Sequence, residues 1–463
     1  MKAFPQSGHA RAEVLAALGD HRIHDLKADG SAFAFVYDAG PEIRELTREA
    51  FAACMPINAL DPTVYPSARK IENGVVKACL ELVHAPEGAV GTATAGGTES
   101  VLLAVKTARD HARKSRPAIT RPKMLLPITA HACFHKAAHY FDVEVIPVEV
   151  DPITFRASID DARAQMTSDV ILVVGSAPSY AHGVIDPIAD LAALAVEHGS
   201  LMHVDACVGG FVLPFLEDAP AFDFAIPGVT SMSMDLHKYG FAPKGISVLL
   251  QRDKSLRASQ YFACASWTGY SIVNSTTLGS KSVAAMGAAY ALIHHLGRDG
   301  YTSRARDMWA ATLSLVRCVE SLPGLRMLGK PDMNLFAFTT TDGDVFELSD
   351  RLLEHGWHVQ PTYAFGPSPA HIHLTLDPGN AARAADFARD LAACMKDLPP
   401  RMVIPAEMLP ASDDMEPAAL MAAMGITDGK LPARAGMIHR LLDAAPPALR
   451  EKLLVLFFGE LYS

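Results

Sequence analysis

The sequence lacks a cysteine framework. Its 463 residues include 7 cysteines, which are scattered singly, and no Cys-x-x-Cys pair occurs. An odd number of isolated cysteines in a long chain argues against a set of disulfides and favours buried free thiols in a reducing compartment. We therefore expect no disulfide scaffold, and we predict no metal site.

Basic runs and long apolar runs are also missing. The chain has 41 Lys+Arg against 51 Asp+Glu and a formal net charge of -10, so we expect no nucleic-acid partner. Residues 1–9 lack the apolar core of a signal peptide. The strongest apolar runs, at 170–174 and 453–458, are far shorter than a bilayer span. These absences predict a soluble, cytoplasmic protein with no transmembrane segment.

Between about 60 and 300, short apolar runs alternate with helix-like stretches. This alternation predicts an α/β fold with a mostly parallel central sheet and helices on both faces. The expected strands lie at 124–128, 143–148, 170–174, 201–204 and 246–250, and two of the expected helices at 100–113 and 188–198.

The remainder of the chain predicts a smaller α+β domain. A long helix is expected over 282–322, followed by short strands between 324 and 376 around a helix at 345–355. Further predictions are a helix at 381–395, an irregular linker at 405–417 and a helical tail after 447. A chain of this length is expected to hold at least two domains. We predict an N-terminal segment (1–57), a large domain (58–299) and a small C-terminal domain with the helical tail (300–463).

A turn rich in small residues is the first of four features that carry chemistry. Thr94-Ala-Gly-Gly-Thr-Glu-Ser100 directly precedes a predicted helix. Small residues let the backbone approach a phosphate, and the helix N-terminus offers free N–H groups and a positive dipole end. A helix cap with a tight turn explains the motif equally well when it is taken alone.

A histidine and an aspartate follow predicted strands. Asp205 ends the strand at 201–204, and ligands of open α/β sheets bind beyond such strand ends. A carboxylate there needs a cationic partner, and the protonated nitrogen of a pyridine ring would supply one. The pairing would keep that nitrogen charged, so that the ring acts as an electron sink. The alternative for Asp205 is an N-cap. His131, after the strand at 124–128, gains a role only if a planar group lies beside it; otherwise it is a packed or surface residue.

Lys238 is the fourth feature. It follows the apolar stretch Ser231-Met-Ser-Met, and partial burial is expected to lower its pKa so that it serves as a Schiff-base amine. A surface lysine is the alternative for this residue by itself. The order of phosphate cradle, histidine, aspartate and lysine predicts a pyridoxal 5'-phosphate (PLP) site with the cofactor on Lys238.

Residues 58 to about 299 closely resemble the group II decarboxylase-like enzymes of PLP fold type I, and among these most of all the sphingosine-1-phosphate lyases. The resemblance continues weakly on both sides of this block. Its most specific motifs are Gly96-Gly-Thr-Glu-Ser100, His182-Gly-Val-Ile-Asp-Pro187, His203-Val-Asp-Ala-Cys-Val-Gly-Gly-Phe211 and His237-Lys-Tyr-Gly-Phe-Ala-Pro-Lys-Gly245.

The resemblance implies a cofactor site. Lys238 would carry the cofactor, Asp205 would pair with the pyridine nitrogen, and His131 would stack on the ring. Ser176 would contact the ring hydroxyl. The residues implied at the phosphate are Gly96, Gly97, Thr98, His237 and, from a neighbouring subunit of a homodimer with shared sites, Ser280.

The resemblance also implies residues for the substrate. Tyr37 matches a tyrosine that takes part in cleavage, and Tyr180 and Lys244 would line the same pocket. Core packing beside Phe33 and Phe35 is the alternative for Tyr37.

Three positions depart from the lyase pattern. Asp61 stands where the lyases have histidine, Lys281 where they have arginine, and Tyr270 where they have glycine. Arginine and lysine are not equivalent in bidentate recognition of anions, and a tyrosine would reshape a loop. These departures concern the substrate more than the cofactor.

The leading functional prediction is a PLP-dependent carbon–carbon lyase that cleaves a phosphorylated long-chain amino alcohol, a lipid phosphate, by retro-aldol chemistry. The products would be a fatty aldehyde and phosphoethanolamine, with Lys238 or Tyr37 as the base. The alternative enzyme is an L-amino-acid decarboxylase or related aldolase, in which Lys281 or Lys244 would hold the carboxylate. A non-enzymatic sensor on the same fold is disfavoured by the retained Lys238, Asp205 and His131, and a Rossmann enzyme by the absence of a Gly-x-Gly-x-x-Gly motif after the first strand.

Overall fold

The computed structural model describes residues 4–405 and 434–462 of the chain. Helices and strands alternate through the first two thirds of the sequence. The strands are β1 Val90–Thr94, β2 Lys123–Pro127, β3 Glu144–Val148, β4 Val170–Ser176, β5 Leu201–Asp205, β6 Ser231–Met234, β7 Ser247–Gln251, β8 Phe262–Cys264, β9 Ile272–Asn274, β10 Leu325–Met327, β11 Leu335–Thr340, β12 Gln360–Thr362 and β13 His371–Thr375.

The helices connect these strands and extend beyond them at both ends. Two short 3-10 helices follow β5, at Gly209–Phe211 and Leu213–Phe215. The α-helices are α1 Arg11–His21, α2 Pro41–Cys54, α3 Pro66–Leu82, α4 Gly97–Ser115, α5 Cys133–Phe141, α6 Ile159–Gln165, α7 Ile188–Glu197, α8 Lys254–Gln260, α9 Ala284–Ser321, α10 Val345–Glu354, α11 Pro378–Ala381, α12 Ala384–Cys394, α13 Gly436–Ala444 and α14 Pro447–Leu461.

A seven-stranded sheet forms the centre of the fold, in the order β1-β7-β6-β5-β4-β2-β3. Strands β3, β2, β4, β5 and β6 are parallel to one another, and β7 is antiparallel to both of its neighbours, β6 and β1. Every residue of β4 is buried, as expected for a strand covered by helices on both faces. The predicted mostly parallel α/β fold is confirmed, and each of the five expected strands matches an observed strand within about two residues.

The sheet topology brings chemically important residues to one edge. Because β4, β5 and β6 are adjacent and parallel, Ser176, Asp205 and the segment after Met234 lie side by side at their carboxyl ends. Strand β1 also runs parallel to β6, since both are antiparallel to β7, so the turn after Thr94 reaches the same edge. This edge is where open α/β sheets bind ligands.

A second sheet of four antiparallel strands, β10-β11-β13-β12, lies in the C-terminal part of the chain. It packs with α10 and α12 around a separate cluster of buried apolar residues that includes Phe33, Trp357 and Phe387. Helix α9 links this region to the central sheet and is kinked at Gly297, whose φ is 55°. The predicted domain boundary at 299/300 falls two residues beyond that kink, and the domain division stays a prediction.

Several elements were absent from the sequence predictions. They include α3, β1 and the β8–β9 hairpin. The two strands of the hairpin have three residues each and no clear alternation of polar and apolar residues. Of the predicted linker at 405–417, all but residue 405 lies outside the described residues. Within residues 4–405 and 434–462, no helix combines the length and apolar character needed to cross a bilayer.

Gly183 joins the two sheet regions and provides a stability test. Its φ is 73°, its carbonyl accepts from the Asp332 N–H at 3.0 Å, and an added Cβ would lie 2.0 Å from the Leu335 carbonyl oxygen. We expect Gly183→Ala to lower the free energy of unfolding by about 2–5 kcal/mol, because left-handed strain and a backbone clash combine.

Gly199→Ala is the matched control, since Gly199 has a φ of 63° and open space where the Cβ would lie. Its expected loss is only about 1 kcal/mol. Urea denaturation of both variants measures the difference, and equal losses would show that the Gly183 contact does not join the two regions.

Candidate active site

A cavity of about 520 Å³ opens at the carboxyl edge of the central sheet. It contains most of the residues that the sequence pointed to. Its lining includes Gly96, Gly97, Thr98, His131, Ser176, Tyr180, Asp205, Asp235, His237 and Lys238.

The turn after β1 forms one end of the cavity. Gly97 is the first residue of α4, so the N–H groups of the first helical turn face outward from the helix end. An added Cβ at Gly97 would lie 2.7 Å from Asp235 Oδ2 and 2.9 Å from Cys207 Sγ, so only glycine fits. Glu99 holds the turn by accepting from the Ala95 N–H at 2.6 Å and the Thr277 N–H at 2.8 Å.

Asp205 lies at the end of β5 and is 8% exposed. Its Oδ1 accepts hydrogen bonds from the Cys207 N–H at 3.0 Å and from the Ser233 hydroxyl at 3.3 Å. Within the described residues no group donates to the second carboxylate oxygen, and Asp205 lines the cavity. The bond to Cys207 occupies only one oxygen, and the N-cap alternative for Asp205 is not observed, because the next helical segment begins at Gly209 with Val208 as its N-cap.

Ser176 lies at the end of the neighbouring strand β4. Its backbone N–H donates to Asp186 Oδ2 at 2.8 Å, but its hydroxyl is buried without a hydrogen-bond partner among the described residues. Asp186 is itself buried, and burial raises the pKa of its carboxyl to about 6. The Ser176 hydroxyl is thus a polar group that lines the cavity and is left free for a ligand.

His131 lies on the opposite side of the cavity, before α5. Its Nδ1 accepts from the Cys133 N–H at 3.2 Å, and its ring meets the Tyr180 ring edge to face at 6.2 Å between centroids. Burial lowers the pKa of His131, so its imidazole is neutral at physiological pH. A neutral, fixed ring of this kind suits stacking on a planar group.

Asp235 and Lys238 form an ion pair at the base of the cavity. Lys238 Nζ lies 3.0 Å from Asp235 Oδ2, and His237 Nε2 lies 3.4 Å from the same oxygen. Burial alone would raise the pKa of Asp235, but the Lys238 charge and the His237 hydrogen bond hold it well below its usual range. The other oxygen, Asp235 Oδ1, is buried and has no partner in the described part of the chain.

The prediction of a lowered lysine pKa was wrong. Desolvation is the largest single influence and acts to lower the pKa of Lys238, but the charge of Asp235 together with smaller contributions from neighbouring groups, Asp205 among them, raises that pKa above the ordinary lysine value. Because Asp235 lies three residues before Lys238, in the same turn, and is almost completely buried, its charge is poorly screened. Asp235 was not among the residues predicted for the site.

Tyr37 lines a neighbouring cavity of about 580 Å³ that shares His237 with the first. Lys244 Nζ lies 4.6 Å from the centroid of the Tyr37 ring, and the Tyr239 ring meets Tyr37 edge to face at 5.1 Å. The alternative of packing beside Phe33 and Phe35 is not observed, since Phe33 packs on Trp357 and Phe387 and Phe35 is exposed.

Burial shifts the pKa values of Tyr37 and Lys244 away from their ordinary values. It raises the pKa of Tyr37 to about 12 and, together with the nearby charge of Lys238, lowers the pKa of Lys244 to about 8. Lys244 also donates to the His237 carbonyl oxygen at 3.0 Å. A protonated phenol and a lysine that titrates near neutrality therefore lie together beside Lys238.

Besides Tyr37 and Lys244, four predicted residues lie outside the main cavity. Ser280 is exposed and lies 3.4 Å from Asn58 Nδ2, so its role toward a neighbouring subunit stays a prediction. Lys281 Nζ contacts Glu72 Oε2 at 3.2 Å and the Ala93 carbonyl oxygen at 3.0 Å. Asp61 accepts local hydrogen bonds from Thr63, and Tyr270 is 62% exposed in the loop between β8 and β9.

The residues of the main cavity fit PLP. The helix end with its obligatory glycine suits a phosphate, the free oxygen of Asp205 suits a protonated ring nitrogen, and the unpartnered Ser176 hydroxyl suits a ring oxygen. Lys238 provides the amine for a Schiff base, and His131 provides a ring to stack.

Comparison with known proteins agrees with this fit. The pyridoxal-dependent decarboxylase conserved domain matches residues 27–341, and a domain described as the C-terminal putative HTH domain of pyridoxal-dependent enzymes matches residues 389–460. The chain is 36% identical over 442 residues to the sphingosine-1-phosphate lyase of Arabidopsis thaliana, covering 93% of this chain and 78% of that protein. It is 37% identical over 371 residues to that of Saccharomyces cerevisiae, covering 79% and 62%.

Solved structures show the same pattern. A sphingosine-1-phosphate lyase from Burkholderia pseudomallei superposes with a TM-score of 0.82 at 34% identity, covering 86% of this chain and 93% of that one. A glutamate decarboxylase from Lactobacillus brevis, at 24% identity and a TM-score of 0.75, covers 87% and 97% and shares the fold.

The Asp235–Lys238 pair can be tested by titration. We expect Asp235→Asn to lower the pKa of Lys238 by more than about one unit, because the nearest carboxylate is removed while the lysine stays desolvated. The measurement is the pH dependence of Lys238 labelling by an amine-reactive reagent in the cofactor-free protein, followed by peptide mass spectrometry.

Asp205→Asn is the control for this titration, because the Asp205 carboxylate affects the Lys238 pKa less than Asp235 does. A labelling midpoint that is the same in wild type and Asp235→Asn would contradict the assignment of Asp235 as the dominant charge.

Proposed function

The chain belongs to the pyridoxal-dependent decarboxylase family, and we propose that within it the protein is a carbon–carbon lyase. Its substrate would be a phosphorylated long-chain amino alcohol of the sphingosine-1-phosphate type, and its products a fatty aldehyde and phosphoethanolamine. The observation that carries the proposal is that Tyr37 and Lys244 lie together in a cavity that shares His237 with the cofactor cavity, since a hydroxyl donor and a cation are what a phosphorylated amino alcohol requires.

The cofactor site would use the cavity residues already described. PLP, when bound, supplies an electron sink that accepts the electron pair of the broken carbon–carbon bond. Asp205 would keep the ring nitrogen protonated, His131 would stack on the ring, and Ser176 would donate to its hydroxyl oxygen. The phosphate would lie at Gly96, Gly97 and Thr98, with His237 nearby.

Lys238 is the proposed base. With the substrate bound in its place, Lys238 would be free as an uncharged amine and would face the hydroxyl of the scissile bond. Asp235 raises the pKa of this amine, which makes Lys238 a stronger proton acceptor. Tyr37, with a pKa of about 12, is protonated at neutral pH, so we assign it as a hydrogen-bond donor that orients the substrate rather than as the base.

Lys244 and Tyr180 are the proposed substrate-binding residues. Lys244 is charged below about pH 8 and lines the second cavity, where it would pair with the substrate phosphate. Tyr180 lines the cofactor cavity and contacts His131 edge to face, so it would border the substrate near the ring.

Amino-acid decarboxylation is the competing function. It requires a fixed cation near the cofactor for the substrate carboxylate, and Lys281 was one candidate. Its contacts with Glu72 and Ala93 direct the Lys281 ammonium group away from the main cavity. Of the two candidate cations for a substrate carboxylate, this leaves Lys244, and its ammonium group could pair with a substrate phosphate equally well.

We also propose that the protein is a cytoplasmic homodimer with shared active sites. Ser280, exposed in the single chain and next to Asn58, would then reach the phosphate of the partner's cofactor. The seven free thiols agree with a reducing compartment.

Product analysis tests the proposed function. The purified protein, loaded with PLP, is incubated with sphingosine-1-phosphate and separately with a panel of L-amino acids. Formation of a long-chain aldehyde and phosphoethanolamine supports the lyase. Release of carbon dioxide from an amino acid, with the phosphate ester left intact, would assign the chain to the decarboxylases.

Tyr37→Phe tests the hydroxyl donor. We expect kcat to fall by about 100-fold or more with unchanged cofactor content, because the donor to the substrate is lost. Tyr239→Phe is the matched control, since Tyr239 lies beside Tyr37 but donates to the Leu376 carbonyl oxygen. Similar kcat losses in both variants would refute a specific role for Tyr37.

The pH dependence of KM tests Lys244. The second ionisation of a phosphate monoester has a pKa of about 6, and Lys244 is mostly protonated below about pH 8. We therefore expect the lowest KM between these values and a rise above pH 8 as the lysine loses its charge. Lys244→Gln should show a high KM without that rise; an unchanged wild-type profile in this variant would contradict the pairing.

A further inference from the structure

We infer that the C-terminal helices α13 and α14 determine which substrate chains the enzyme accepts, because they fix one wall of a cavity beside the cofactor site. We call these helices the C-terminal arm, and residues 363–370, between β12 and β13, the wall loop. The inference rests on the proposed function for the nature of the substrate.

The cavity in question has a volume of about 310 Å³ and adjoins the cofactor cavity. The two cavities share His131 and Tyr180, so a substrate held near the cofactor can extend from one into the other. Most of the remaining lining is apolar or aromatic: Ile128, Ala130, Val150, Tyr363, Phe365 and Pro367.

The polar residues of this cavity carry no charge that would favour an ionic ligand. His182 stacks on Phe155 with ring centroids 4.1 Å apart, and burial with two neighbouring histidines lowers its pKa to about 3. A cavity walled by aromatic rings and a neutral imidazole suits a hydrocarbon chain. A phosphate would instead be attracted to Lys244, outside this cavity.

The wall loop is bound directly by the arm. The Tyr363 hydroxyl lies 3.0 Å from His439 Nδ1, and the Ala364 N–H donates to Asp443 Oδ1 at 2.6 Å. Arg450 lies over the Tyr363 ring, 4.8 Å from its centroid. Tyr363 thus lines the cavity and also packs against the apolar residues of the arm, Ile438, Leu442 and Leu453.

The other end of the wall loop is tied to the cavity itself. Phe365 and Ser368 exchange backbone hydrogen bonds at 2.9 and 3.0 Å, and the Ser368 hydroxyl lies 2.9 Å from His182 Nε2. The loop is therefore held between the arm on one side and His182 on the other. A displaced arm would release the Tyr363 end while the Ser368 end stays attached.

The arm is fixed to the small sheet region by buried charges. Arg440 Nε lies 2.8 Å from Asp344 Oδ2, with side chains only 10% and 2% exposed. At the start of α13, the Gly436 N–H donates to Asp350 Oδ2 at 3.0 Å. These contacts join the arm to α10, so its position relative to the wall loop is defined.

Together these contacts assign His439 and Asp443 as positioning residues for specificity. Neither residue lines the cofactor cavity, but they hold Tyr363 and Ala364, and so the start of the wall loop, where the distal part of a hydrocarbon chain would lie. Pocket contacts with individual methylene groups discriminate between substrates by about 10-fold or more. The arm should therefore set chain-length preference without altering the chemical step.

The test compares two variants that both disturb Asp443. Asp443→Ala removes the bond to Ala364 and the ion pair with Arg401, whose Nη2 lies 3.3 Å from Asp443 Oδ2. Arg401→Ala removes only the ion pair. Each variant, loaded with PLP, is assayed with sphingosine-1-phosphate and a short-chain analogue, and thermal unfolding verifies that it is folded.

We expect Asp443→Ala to change the ratio of kcat/KM between the long and short substrates by about 10-fold, and Arg401→Ala to leave the ratio unchanged. Tyr363→Ala, which removes the wall side chain itself, should change the ratio in the same direction. Unchanged ratios in folded Asp443→Ala and Tyr363→Ala proteins would overturn the inference.

Binding of dodecyl phosphate, measured by calorimetry, separates this inference from the proposed function. If wild type cleaves neither phosphorylated amino alcohol, the proposed function fails. The role of the arm still stands if wild type binds dodecyl phosphate and Asp443→Ala binds it about 10-fold more weakly, and it falls if the two bind equally.

Discussion

The buried ion pair of Asp235 and Lys238 is the interaction on which the rest of the site depends. A carboxylate that is almost fully buried requires a positive partner, and Lys238 Nζ at 3.0 Å supplies it. A Cβ added at Gly97 would lie 2.7 Å from this oxygen of Asp235 and 2.9 Å from Cys207 Sγ, so the glycine turn, Cys207 and Lys238 pack closely around one carboxylate. The sheet topology makes this possible, because β1, β5 and β6 end at a single edge.

The two buried carboxylates of the cavity have different electrostatic effects. Asp235 raises the basicity of Lys238, whereas Asp205 holds one oxygen in local hydrogen bonds and leaves the other for a ligand. Tyr37 and Lys244, in the adjoining cavity, add a neutral hydroxyl donor and a cation whose charge changes near pH 8. In the proposed function, the partner of the ring nitrogen, the base and the partner of the substrate phosphate would therefore come from different elements of the fold.

The sequence predicted what local patterns encode. The strands at 170–174 and 201–204 were found because fully buried parallel strands are continuous apolar runs, and Asp205 was found because it ends such a run. Asp235 was missed, since a carboxylate three residues before a lysine resembles a surface ion pair, and only tertiary burial makes it dominant. The sign of the Lys238 pKa shift was wrong for the same reason. Ala364 of the wall loop and Asp443 of the arm are 79 residues apart in the chain, so no local pattern relates them.

The central claim is that the cofactor is bound covalently to Lys238 in the cavity built around Asp235. Borohydride reduction of the PLP-loaded protein, followed by proteolysis and mass spectrometry of the peptides, measures this directly. We predict a phosphopyridoxyl group on the peptide that contains Lys238, and its loss in Lys238→Ala. Its attachment to Lys244 or another lysine in the wild-type protein would contradict the account.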